Sequence, residues 1–584
     1  MKKNYLKLNP EILIISQLRS RSFISSNNHI LFLNEGCKLY KTNKKYNYEL
    51  YKYNRVLKYK IRSLEKNFFY LLKIYEFLLK ELSASLNKIH NLNYSVESWR
   101  IIIGPWLFEF ISIIFYNWKK IRYVNSNYLI KYVEIAKFKK KRIYFSDNND
   151  FFYSSITDEF NNQIYTDLLK YFKNIKIKYF IANKKIKWKR NKSSSFIIRF
   201  LSFITKFSQL FLNRKFFFLD PYFNIIIRWL LEIRLGQFPS LYTSPAFKSF
   251  FLNKEFREKK INTNRNKFIN ILNDLVYKYI PISYLENFNK YQKEVQIINW
   301  PKNPKVIFSS NSFFYDDFFK IWLVEKKKKL NSKFFSGQHG GNFFITKFNF
   351  HDLHQKKISD KILTWGYKKK NIYEPMFNFK TAFKDIKSNS EGSLLIIDSE
   401  ISRFPSSSLT YNNFEFSPHL NNKFNFIKKL NSNIRSQLIF RPYNFNMRWG
   451  TLNRLKRIDN SIKIDINKNF YDSFNNIRIC VVPQNGTVLL ETLNLNFPTI
   501  IYFDPKHDLL TNDAAYYFDI LKEVNVFFDN STTAAKHLNN IWSQVDKWWY
   551  NKKTQDAISK FCNRFSKRTD RSINKLAYFF KKYS

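Results

Sequence analysis

Short apolar runs and long amphipathic stretches alternate along the first part of the chain. Apolar residues fill positions 12–15 and 30–33, and polar residues bound each run, which is typical of buried strands. Between 63 and 90, apolar residues recur every three or four positions, which predicts a long helix. Ser95 precedes the next apolar segment and is predicted to cap a second helix. Buried strands and long helices are therefore expected together near the amino terminus.

From residue 305 onward the pattern changes to strand, helix, strand. Strands are predicted at 306–308, 333–336 and 361–366, with a helix at 313–328 between the first two. This alternation is typical of a parallel α/β arrangement.

A second α/β series follows a break in the pattern. Residues 368–392 are rich in Lys, Asn, Pro and Ser, and we place an interdomain linker there. Four apolar strands come next, predicted at 393–398, 437–442, 478–482 and 499–503. Four strands with helices between them predict a Rossmann-like sheet. The Trp-rich tail at 532–583 is predicted to be helical and to pack across both domains. The expected fold is α/β, with one domain at 1–385 that carries helical insertions and another at 386–584.

Two apolar stretches, 101–116 and 196–212, come nearest to membrane spans. Charged residues interrupt both, and both are shorter than the roughly 20 residues that cross a bilayer. They are interpreted as buried helices, or else as amphipathic helices bound to a surface. Residues 1–20 show no signal-peptide pattern, so a cytoplasmic location is expected.

Charge changes the picture of possible partners. The 584 residues include 99 Lys and Arg against 45 Asp and Glu, a formal net charge of +54, which indicates an anionic partner. An AT-rich coding sequence would also produce many Lys, Phe, Tyr, Ile and Asn residues. The net charge therefore suggests a class of partner but does not establish one. The basic segment 184–215 is expected to favour anionic lipid surfaces, with a solvated face as the ordinary alternative.

Composition also narrows the class of protein. Hydrophobic residues make up 45% and aromatic residues 19%, so the chain is expected to fold rather than act as a disordered polycation. A nucleic-acid-binding protein is the rival interpretation, but no RRM, KH, zinc-finger or helix-turn-helix signature supports it, and no nucleic acid is expected as a partner. Cys37, Cys480 and Cys562 are far apart, which argues against a disulfide framework or a cysteine zinc site.

Three of only ten glycines lie in one run, Gly337, Gln338, His339, Gly340 and Gly341. The run follows a predicted strand, and α/β sheets bind ligands at the carboxyl ends of their strands. Glycine lets a backbone approach a substrate closely, and a histidine can act there as a general base or an oxyanion donor. The alternative is a tight turn whose histidine bonds a neighbour.

His351, Asp352 and His354 follow soon after and suggest a metal site only weakly. The two histidines are three apart with no evident helical flank and no third ligand nearby. A surface turn or a loop that shapes the substrate site is the preferred interpretation. No metal and no cofactor is expected.

A candidate donor site follows the strand predicted at 478–482. Asn485, Gly486 and Thr487 lead from that strand into a helix whose free backbone N–H groups can bind phosphate. Glu491 lies one turn further on, where its two oxygens can accept both hydroxyls of a ribose. The alternative is ordinary helix chemistry, with Thr487 as N-cap and Glu491 as a favourable early acid.

Two other strand ends of the same predicted sheet carry cations. Arg441 can bind a carboxylate or phosphate with two hydrogen bonds. Lys506 and His507 can add positive charge over a nucleotide phosphate. Surface salt bridges are the alternative for each. Because all these residues end strands of one sheet, we predict that they form a donor-binding edge.

An ordered set of segments resembles a family of bacterial surface-polysaccharide transferases with a GT-B-like architecture, distantly similar to Kdo transferases and to the glycerophosphotransferases of capsule and teichoic acid synthesis. The segments are ILFLNEGCKLY (30–40), WRIIIGPWL (99–107), GQHGG with DKILTWG (337–341 and 360–366), NGTVLLETL with PTIIYFDPKH (485–493 and 498–507) and KWWY (547–550). The resemblance implies two Rossmann-like domains, a helix-rich amino-terminal elaboration and a carboxyl-terminal helix that crosses between them.

The resemblance also implies an activity and roles for residues. Such proteins move a sugar, for example an acidic nonulosonate, from a nucleotide-activated donor to a cell-surface glycan or its lipid-linked precursor, at the inner face of the membrane. Polyol-phosphate transfer is the alternative. His339 would be catalytic on the acceptor side (1–385), and Gly486, Thr487 and Glu491 would hold the donor nucleotide. Where the family has a Glu-rich turn before the strand at 361–366, this chain offers only Asp352 as a catalytic carboxylate.

Overall fold

The computed structural model describes residues 11–18, 29–38, 54–57, 64–138, 142–182, 214–245, 251–261, 266–405, 416–445 and 447–584. Strands in this part of the chain form three sheets in which all neighbours run parallel. The strands are β1 (Glu11–Ile14), β2 (Ile30–Phe32), β3 (Asn54–Val56), β4 (Ile130–Lys137), β5 (Ile177–Ile181), β6 (Phe216–Phe218), β7 (Val306–Ser309), β8 (Lys333–Gly337), β9 (Lys361–Thr364), β10 (Tyr373–Pro375), β11 (Ser393–Ile397), β12 (Leu438–Arg441), β13 (Lys463–Ile464), β14 (Ile477–Val482), β15 (Thr499–Tyr502) and β16 (Phe527–Phe528).

The strand orders of the first and third sheets reverse direction as in Rossmann-like units, whereas the second sheet is sequential. The first sheet runs β3-β2-β1-β4-β5, the second β10-β9-β8-β7-β6 and the third β13-β12-β11-β14-β15-β16. The third order is that of a doubly wound dinucleotide-binding sheet, in which the direction of winding reverses between β11 and β14. All four strands predicted for this sheet are present, and the short β13 and β16 extend it. The predicted α/β fold class, with parallel Rossmann-like sheets, is confirmed.

Helices connect the strands and cover the sheets. The described α-helices are Leu64–His90, Val96–Asn127, Asn148–Ser155, Asp158–Leu169, Ile225–Arg234, Lys254–Glu258, Lys267–Tyr279, Phe288–Ile297, Ser312–Tyr315, Asp317–Leu330, Phe350–Ile358, Phe416–Lys428, Ser432–Arg435, Thr451–Ile458, Thr487–Asn494, Pro505–Asp508, Asn512–Glu523, Ser531–Ile541, Val545–Trp549, Lys552–Phe565 and Ser572–Lys581.

The described residues form three hydrophobic cores. The first contains the helices Leu64–His90 and Val96–Asn127 together with the first sheet and one face of the second. The second core joins the other face of the second sheet to the third sheet and the carboxyl-terminal helices. Strand β6 shows the division, because Phe217 lies in the first core while Phe216 and Phe218 lie in the second. The third core covers the far face of the third sheet. The second and third sheets thus share one continuous core.

Local sequence signals explain several element boundaries. Ser95 caps Val96–Asn127, as predicted, by accepting a hydrogen bond from Ser98 N at 3.1 Å. The helix predicted at 313–328 is instead two helices, because the extended Asp316 caps the second one and its carboxylate accepts from Phe319 N.

The interdomain linker placed at 368–392 is partly wrong. Residues 373–375 form strand β10, and Met376, Phe377 and Phe379 are buried in the second core. Their apolar side chains are buried in the second core, and β10 is an edge strand of the second sheet, so this stretch belongs to the second-sheet unit rather than to an exposed connection. The division of the chain at 385/386 stays a prediction.

One helix in the described part of the chain, Val96–Asn127, is long and apolar enough to cross a membrane. However, 94% of its most apolar window is buried inside the protein, as in the core helix of a globular fold. The buried helix predicted at 101–116 lies within it. The stretch 196–212 and nearly all of 184–215 lie outside the described residues.

The carboxyl-terminal tail crosses back to the second sheet, as predicted. The helix Ser572–Lys581 packs on Ile225–Arg234. Phe580 contacts the rings of Phe218 and Phe308, with centroids 5.1 and 5.5 Å apart. This crossing holds the last helix of the chain against the half that contains the glycine-rich turn.

Candidate active site

Two turns meet where the carboxyl edges of the second and third sheets face each other. The first turn follows β8, and the second follows β14 and opens the helix Thr487–Asn494. Gly341 N donates a hydrogen bond to Thr487 Oγ1 at 3.1 Å. A Cβ atom on Gly341 would overlap the Gly486 carbonyl and lie 2.6 Å from Thr487 N. Direct backbone contact between the turns therefore requires glycine at 341.

The side chain of Gln338 stabilises the first turn through two hydrogen bonds. Its Oε1 accepts from Trp365 N at 2.9 Å, and its Nε2 donates to Gly340 O at 3.0 Å. The side chain is buried. Gln338 therefore fixes the turn's shape, whereas Gly340 lies in ordinary contact distance of Thr487 across the junction. Gly337, at the end of β8, leaves room for Ser310.

His339 lies among aromatic rings at this junction. Its centroid is 4.6 Å from that of Phe343, 5.7 Å from Phe314 and 5.9 Å from Tyr222. Burial, helped by the nearby side chains of His351 and Lys380, lowers the pKa of His339 to about 3. The imidazole is therefore neutral near pH 7.

One nitrogen of the His339 ring is without a partner in the described structure. The buried Nδ1 has no hydrogen-bond partner among the described residues. In the tautomer that carries its proton on Nε2, the lone pair of Nδ1 can accept a proton.

The His351-Asp352-His354 group lies on a helix, so the predicted surface turn is wrong. Asn349 caps the helix Phe350–Ile358 by accepting from His351 N at 2.9 Å, a local signal present in the sequence. His351 stacks on Phe314 at 4.2 Å, and His354 is buried. No group of three metal-ligating residues occurs in the part of the chain that the structure describes.

Asp352 is a protonated carboxyl group at neutral pH. Its Oδ2 accepts from Phe344 N at 3.1 Å, while Oδ1 has no partner within the described ranges. Burial raises the pKa of Asp352 to about 8. The group can therefore donate a proton or a hydrogen bond, and it follows His351, whose ring centroid lies 6.3 Å from that of His339.

The second turn presents backbone and amide groups. Gly486, rather than Thr487, is the N-cap of the helix, and its lack of a side chain leaves the first N–H groups without a side-chain cap. Asn485 Nδ2 donates to Thr346 Oγ1 at 3.2 Å, and its buried Oδ1 lacks a partner in the described structure. This turn follows β14, at the reversal point of the third sheet.

Glu491 is buried and both of its oxygens are engaged. Oε1 accepts from Lys380 Nζ at 3.3 Å and Oε2 accepts from Tyr471 OH at 3.0 Å. Lys380 Nζ also lies 5.5 Å from the ring centroid of Tyr222, the residue beside His339. Lys380 therefore connects the two halves of the site. Sequence reasoning missed it because it falls within the stretch taken for a linker, with no motif around it.

The structure does not place the remaining predicted cations, Arg441, Lys506 and His507, together at the two turns. Arg441 pairs with Asp465 at 2.6 Å and donates to Asn467 O at 3.1 Å, an ion pair within the third-sheet unit. Lys506 is exposed on the short helix Pro505–Asp508. The side chain of His507 lies outside the described part of the structure. Donor contacts by these residues stay predictions.

Arg403, from the loop after β11, lies at the carboxyl edge of the first sheet. Arg403, fully buried, forms two hydrogen bonds with Asp158, the shorter at 2.6 Å, and donates to Gly36 O at 2.8 Å. Gln17 N donates to the same carboxylate at 2.7 Å. Gly36, within the segment quoted for the resemblance, thus lies at a junction with the third-sheet unit, a role that its sequence did not reveal.

Comparisons with known proteins agree with the predicted class. The family model described as LIC12162 family transferase matches residues 13–580. No curated protein matches the chain. The predicted membership of a transferase family is confirmed.

Several solved structures are weakly similar. A Listeria monocytogenes protein assigned as a UDP-N-acetylglucosamine 2-epimerase has 9% identity, covers 64% of this chain and 98% of its own, and has a TM-score of 0.36. MurG from Acinetobacter baumannii has 8% identity, 59% and 84% coverage and a TM-score of 0.29. WaaG, a glycosyltransferase involved in lipopolysaccharide biosynthesis, has 10% identity, 62% and 98% coverage and a TM-score of 0.27.

Proposed function

Because the chain belongs to the LIC12162 family of transferases, we propose that it is a glycosyltransferase that moves a sugar, such as an acidic nonulosonate, from a nucleotide-activated donor to a cell-surface glycan or its lipid-linked precursor. The observation that carries the proposal is the contact of the turn at 337–341 with the start of the helix Thr487–Asn494. Parallel sheets bind ligands at such carboxyl edges, and here two edges meet.

The third-sheet unit is the donor side of this proposal. The turn at 483–486 lies at the reversal point between β11 and β14, where doubly wound sheets bind nucleotides. The uncapped N–H groups that follow Gly486 and the positive end of the helix favour a phosphate. Asn485 Oδ1 supplies a buried acceptor for a ligand hydroxyl or amine.

Lys380 is the cation that we assign to the leaving phosphate. Its ammonium pairs with Glu491, which holds it between the uncapped helix and His339. Negative charge develops on the phosphate as the sugar–oxygen bond breaks, and a positioned cation stabilises that charge. Glu491 thus positions Lys380, in place of the ribose contact predicted from the sequence.

His339 acts on the acceptor in this scheme. The acceptor hydroxyl bonds the anomeric carbon as the bond to the donor phosphate breaks, and its proton passes to Nδ1 of His339. A pKa of about 3 makes His339 by itself a weak base. Because Lys380 is one cause of that low value, a phosphate bound to Lys380 would raise the pKa of His339 and strengthen the base.

A donor screen tests the proposed function directly. Sugars linked to CMP, UDP, GDP and CDP are compared by ligand-induced shifts in melting temperature, since a bound ligand stabilises the folded state by mass action. Donors that stabilise the protein are then tested for transfer to glycan acceptors. If the protein turns over a CDP-polyol and no sugar nucleotide, the transferred group is a polyol phosphate rather than a sugar. Tight binding of single-stranded RNA at physiological salt without any nucleotide binding would refute both versions.

The variant His339→Ala then tests whether His339 is the general base. The transfer rate is expected to fall about 10²–10⁴-fold with donor affinity nearly intact. His537→Ala is the matched control, because burial also lowers the pKa of His537 and it contacts Phe528 and Trp548 on the far side of the third sheet. A His339→Ala protein that folds normally and retains the parental rate would remove the assignment.

Lys380→Met tests the donor side. Affinity for a nucleoside diphosphate should fall about tenfold while affinity for the nucleoside changes little, because only the phosphate loses a charged partner. Lys384→Met is the control from the same segment, since Lys384 lies over Tyr471 rather than at Glu491. Equal losses in the two variants would contradict the role of Lys380.

A further inference from the structure

An apolar stripe lies exposed on the helix Ile225–Arg234. Ile226, Leu230 and Ile233 recur at helical spacing on one face, and Ile226 and Ile233 are 60% and 58% exposed. The opposite face, with Ile227 and Leu231, is buried in the second core. An exposed stripe of large aliphatic side chains on one helix marks an interaction surface.

The carboxyl-terminal helix extends this surface. The helix Ser572–Lys581 packs on Ile225–Arg234, and Tyr578, 79% exposed, lies four residues after Asn574 on its outer face. A cavity of about 630 Å³ lies between the two helices. Its lining includes Leu230, Ile233 and the 62%-exposed Phe383. We call the exposed sides of these two helices with their shared cavity the two-helix face.

Cations accompany the apolar side chains. Arg234 and Arg571 line the cavity together with one acid, Asp570. Lys581 and Lys582 are exposed at the end of the second helix. Apolar side chains flanked by cations match an anionic lipid surface, where the apolar groups enter the acyl boundary and the cations meet headgroup phosphates.

We propose that the two-helix face docks the protein on an anionic phospholipid membrane. The helix Ile225–Arg234 begins three residues after Tyr222, whose ring lies 5.9 Å from that of His339, so the face adjoins the candidate active site. The proposal rests on the proposed function in one respect only: a lipid-linked acceptor would explain why the membrane-docking face lies beside the candidate active site.

A second copy of the chain is a poorer occupant. Two copies joined through this face would place the same arginines and lysines opposite each other, and the whole chain carries +54. Like charges across an interface oppose association, whereas an anionic bilayer attracts them. Charge thus favours the membrane.

Vesicle co-sedimentation of the full-length protein, without donor or acceptor, tests the proposal. Phosphatidylcholine vesicles are compared with vesicles that also contain phosphatidylglycerol. The parent is expected to prefer the anionic vesicles, and Ile226→Ser/Leu230→Ser/Ile233→Ser should lower its partition coefficient about tenfold. Arg234→Gln/Arg571→Gln should reduce the preference for anionic over neutral vesicles. The control Ile297→Ser/Ile466→Ser, at side chains 84% and 88% exposed elsewhere, should bind like the parent.

Several outcomes would overturn the proposal. Equal binding of the parent to both vesicle types, or parental binding by the triple variant, would do so. Loss of binding only when the cations of 184–215 are replaced would assign the membrane contact to that segment. A parent that dimerises in solution, with a monomeric triple variant, would assign the face to self-association. Melting curves identify misfolded variants, and donor affinity is measured separately, so a failure here leaves the glycosyltransferase proposal standing.

Discussion

Nδ1 of His339, Oδ1 of Asp352 and Oδ1 of Asn485 are buried atoms without a hydrogen-bond partner in the described structure. Each such atom costs about 1–3 kcal/mol of stability. His339 and Asn485 lie on the two facing turns, and Asp352 lies on the helix that follows the first turn. A ligand that supplies the missing hydrogen bonds would recover part of this cost, which is the physical reason to expect a binding site at this position.

Asp352→Asn should stabilise the protein at neutral pH. In the parent the folded carboxyl, with a pKa of about 8, keeps its proton, whereas the unfolded one ionises near pH 4. Parent stability from this group is therefore greatest below pH 4 and is lost as the pH rises toward 8. An asparagine can still accept from Phe344 N. The variant should gain about 2–4 kcal/mol at pH 8 and little at pH 4.

Thermal or denaturant unfolding at several pH values measures this effect. Asp385→Asn is the control, because Asp385 is exposed and its replacement should change stability little at any pH. A stabilisation of Asp352→Asn that does not grow between pH 4 and pH 8 would show that the carboxyl is not held protonated. Loss of transfer in a stabilised variant would indicate that the site retains Asp352 for activity.

At the scale of elements, the site consists of loops that follow parallel strands. Strand β8 delivers the turn with His339, and β14 delivers the turn with Gly486. A second contact joins the same halves, since Lys347 N donates to Leu509 O and Thr511 N donates to Ile345 O, both at 2.8 Å. The two halves are therefore joined by hydrogen bonds at Gly341 and again at residues 345–347, both after His339 in the chain.

Gly341→Ala should disturb this junction. The new methyl group would overlap the Gly486 carbonyl, and the backbone of two turns must move to admit it. Overpacking of this kind costs about 1–3 kcal/mol. Donor affinity should fall as well, because the N–H groups after Gly486 shift with the turn. Melting temperature and nucleotide binding are the measurements.

Gly340→Ala is the matched control one residue away. A Cβ atom there would lie 3.5 Å from Thr487 Oγ1, an ordinary van der Waals contact. Its stability and donor affinity should stay close to those of the parent. If the two alanine variants behave alike, the turns do not meet in solution as they do in this structure.

At the scale of the whole molecule, the first sheet is attached to the third-sheet unit through a buried ion pair. Burial alone would raise the pKa of Asp158, but the guanidinium of Arg403 and its hydrogen bonds hold it below the ordinary value. Gly36 admits this arginine, because a Cβ atom at 36 would lie 2.8 Å from Arg403 Cβ. The attachment therefore depends on both electrostatics and close packing.

Asp158→Asn should loosen the first sheet selectively. It leaves a buried guanidinium without its anion, a change that typically costs 3–5 kcal/mol. Hydrogen exchange should accelerate in β1, β2 and the loop 398–405, with less change in β14 and β15. Asp529→Asn, in an exposed pair with Lys522, is the control and should have little effect. Uniform acceleration across all three sheets would mean that the ion pair supports the whole fold rather than this junction.

The sequence by itself determined the elements and part of the site. Apolar runs predicted β1, β2, β7, β8, β9 and the main strands of the third sheet, because buried parallel strands need continuous apolar residues. The Ser95 cap was readable because a cap acts within four residues. The scarcity of glycine pointed to 337–341, since close backbone approach leaves few alternatives, and the passage from a strand into a helix pointed to Gly486.

Tertiary structure decided the partners and the protonation states. Lys380 is 111 positions from Glu491, and Arg403 is 245 positions from Asp158, so no local pattern links them. Burial, a property of the packed molecule, lowers the pKa of His339 and raises that of Asp352. Local spacing records which residues share a strand or a helix face. Which distant side chains meet, and how much water surrounds them, is set only when the sheets pack against one another.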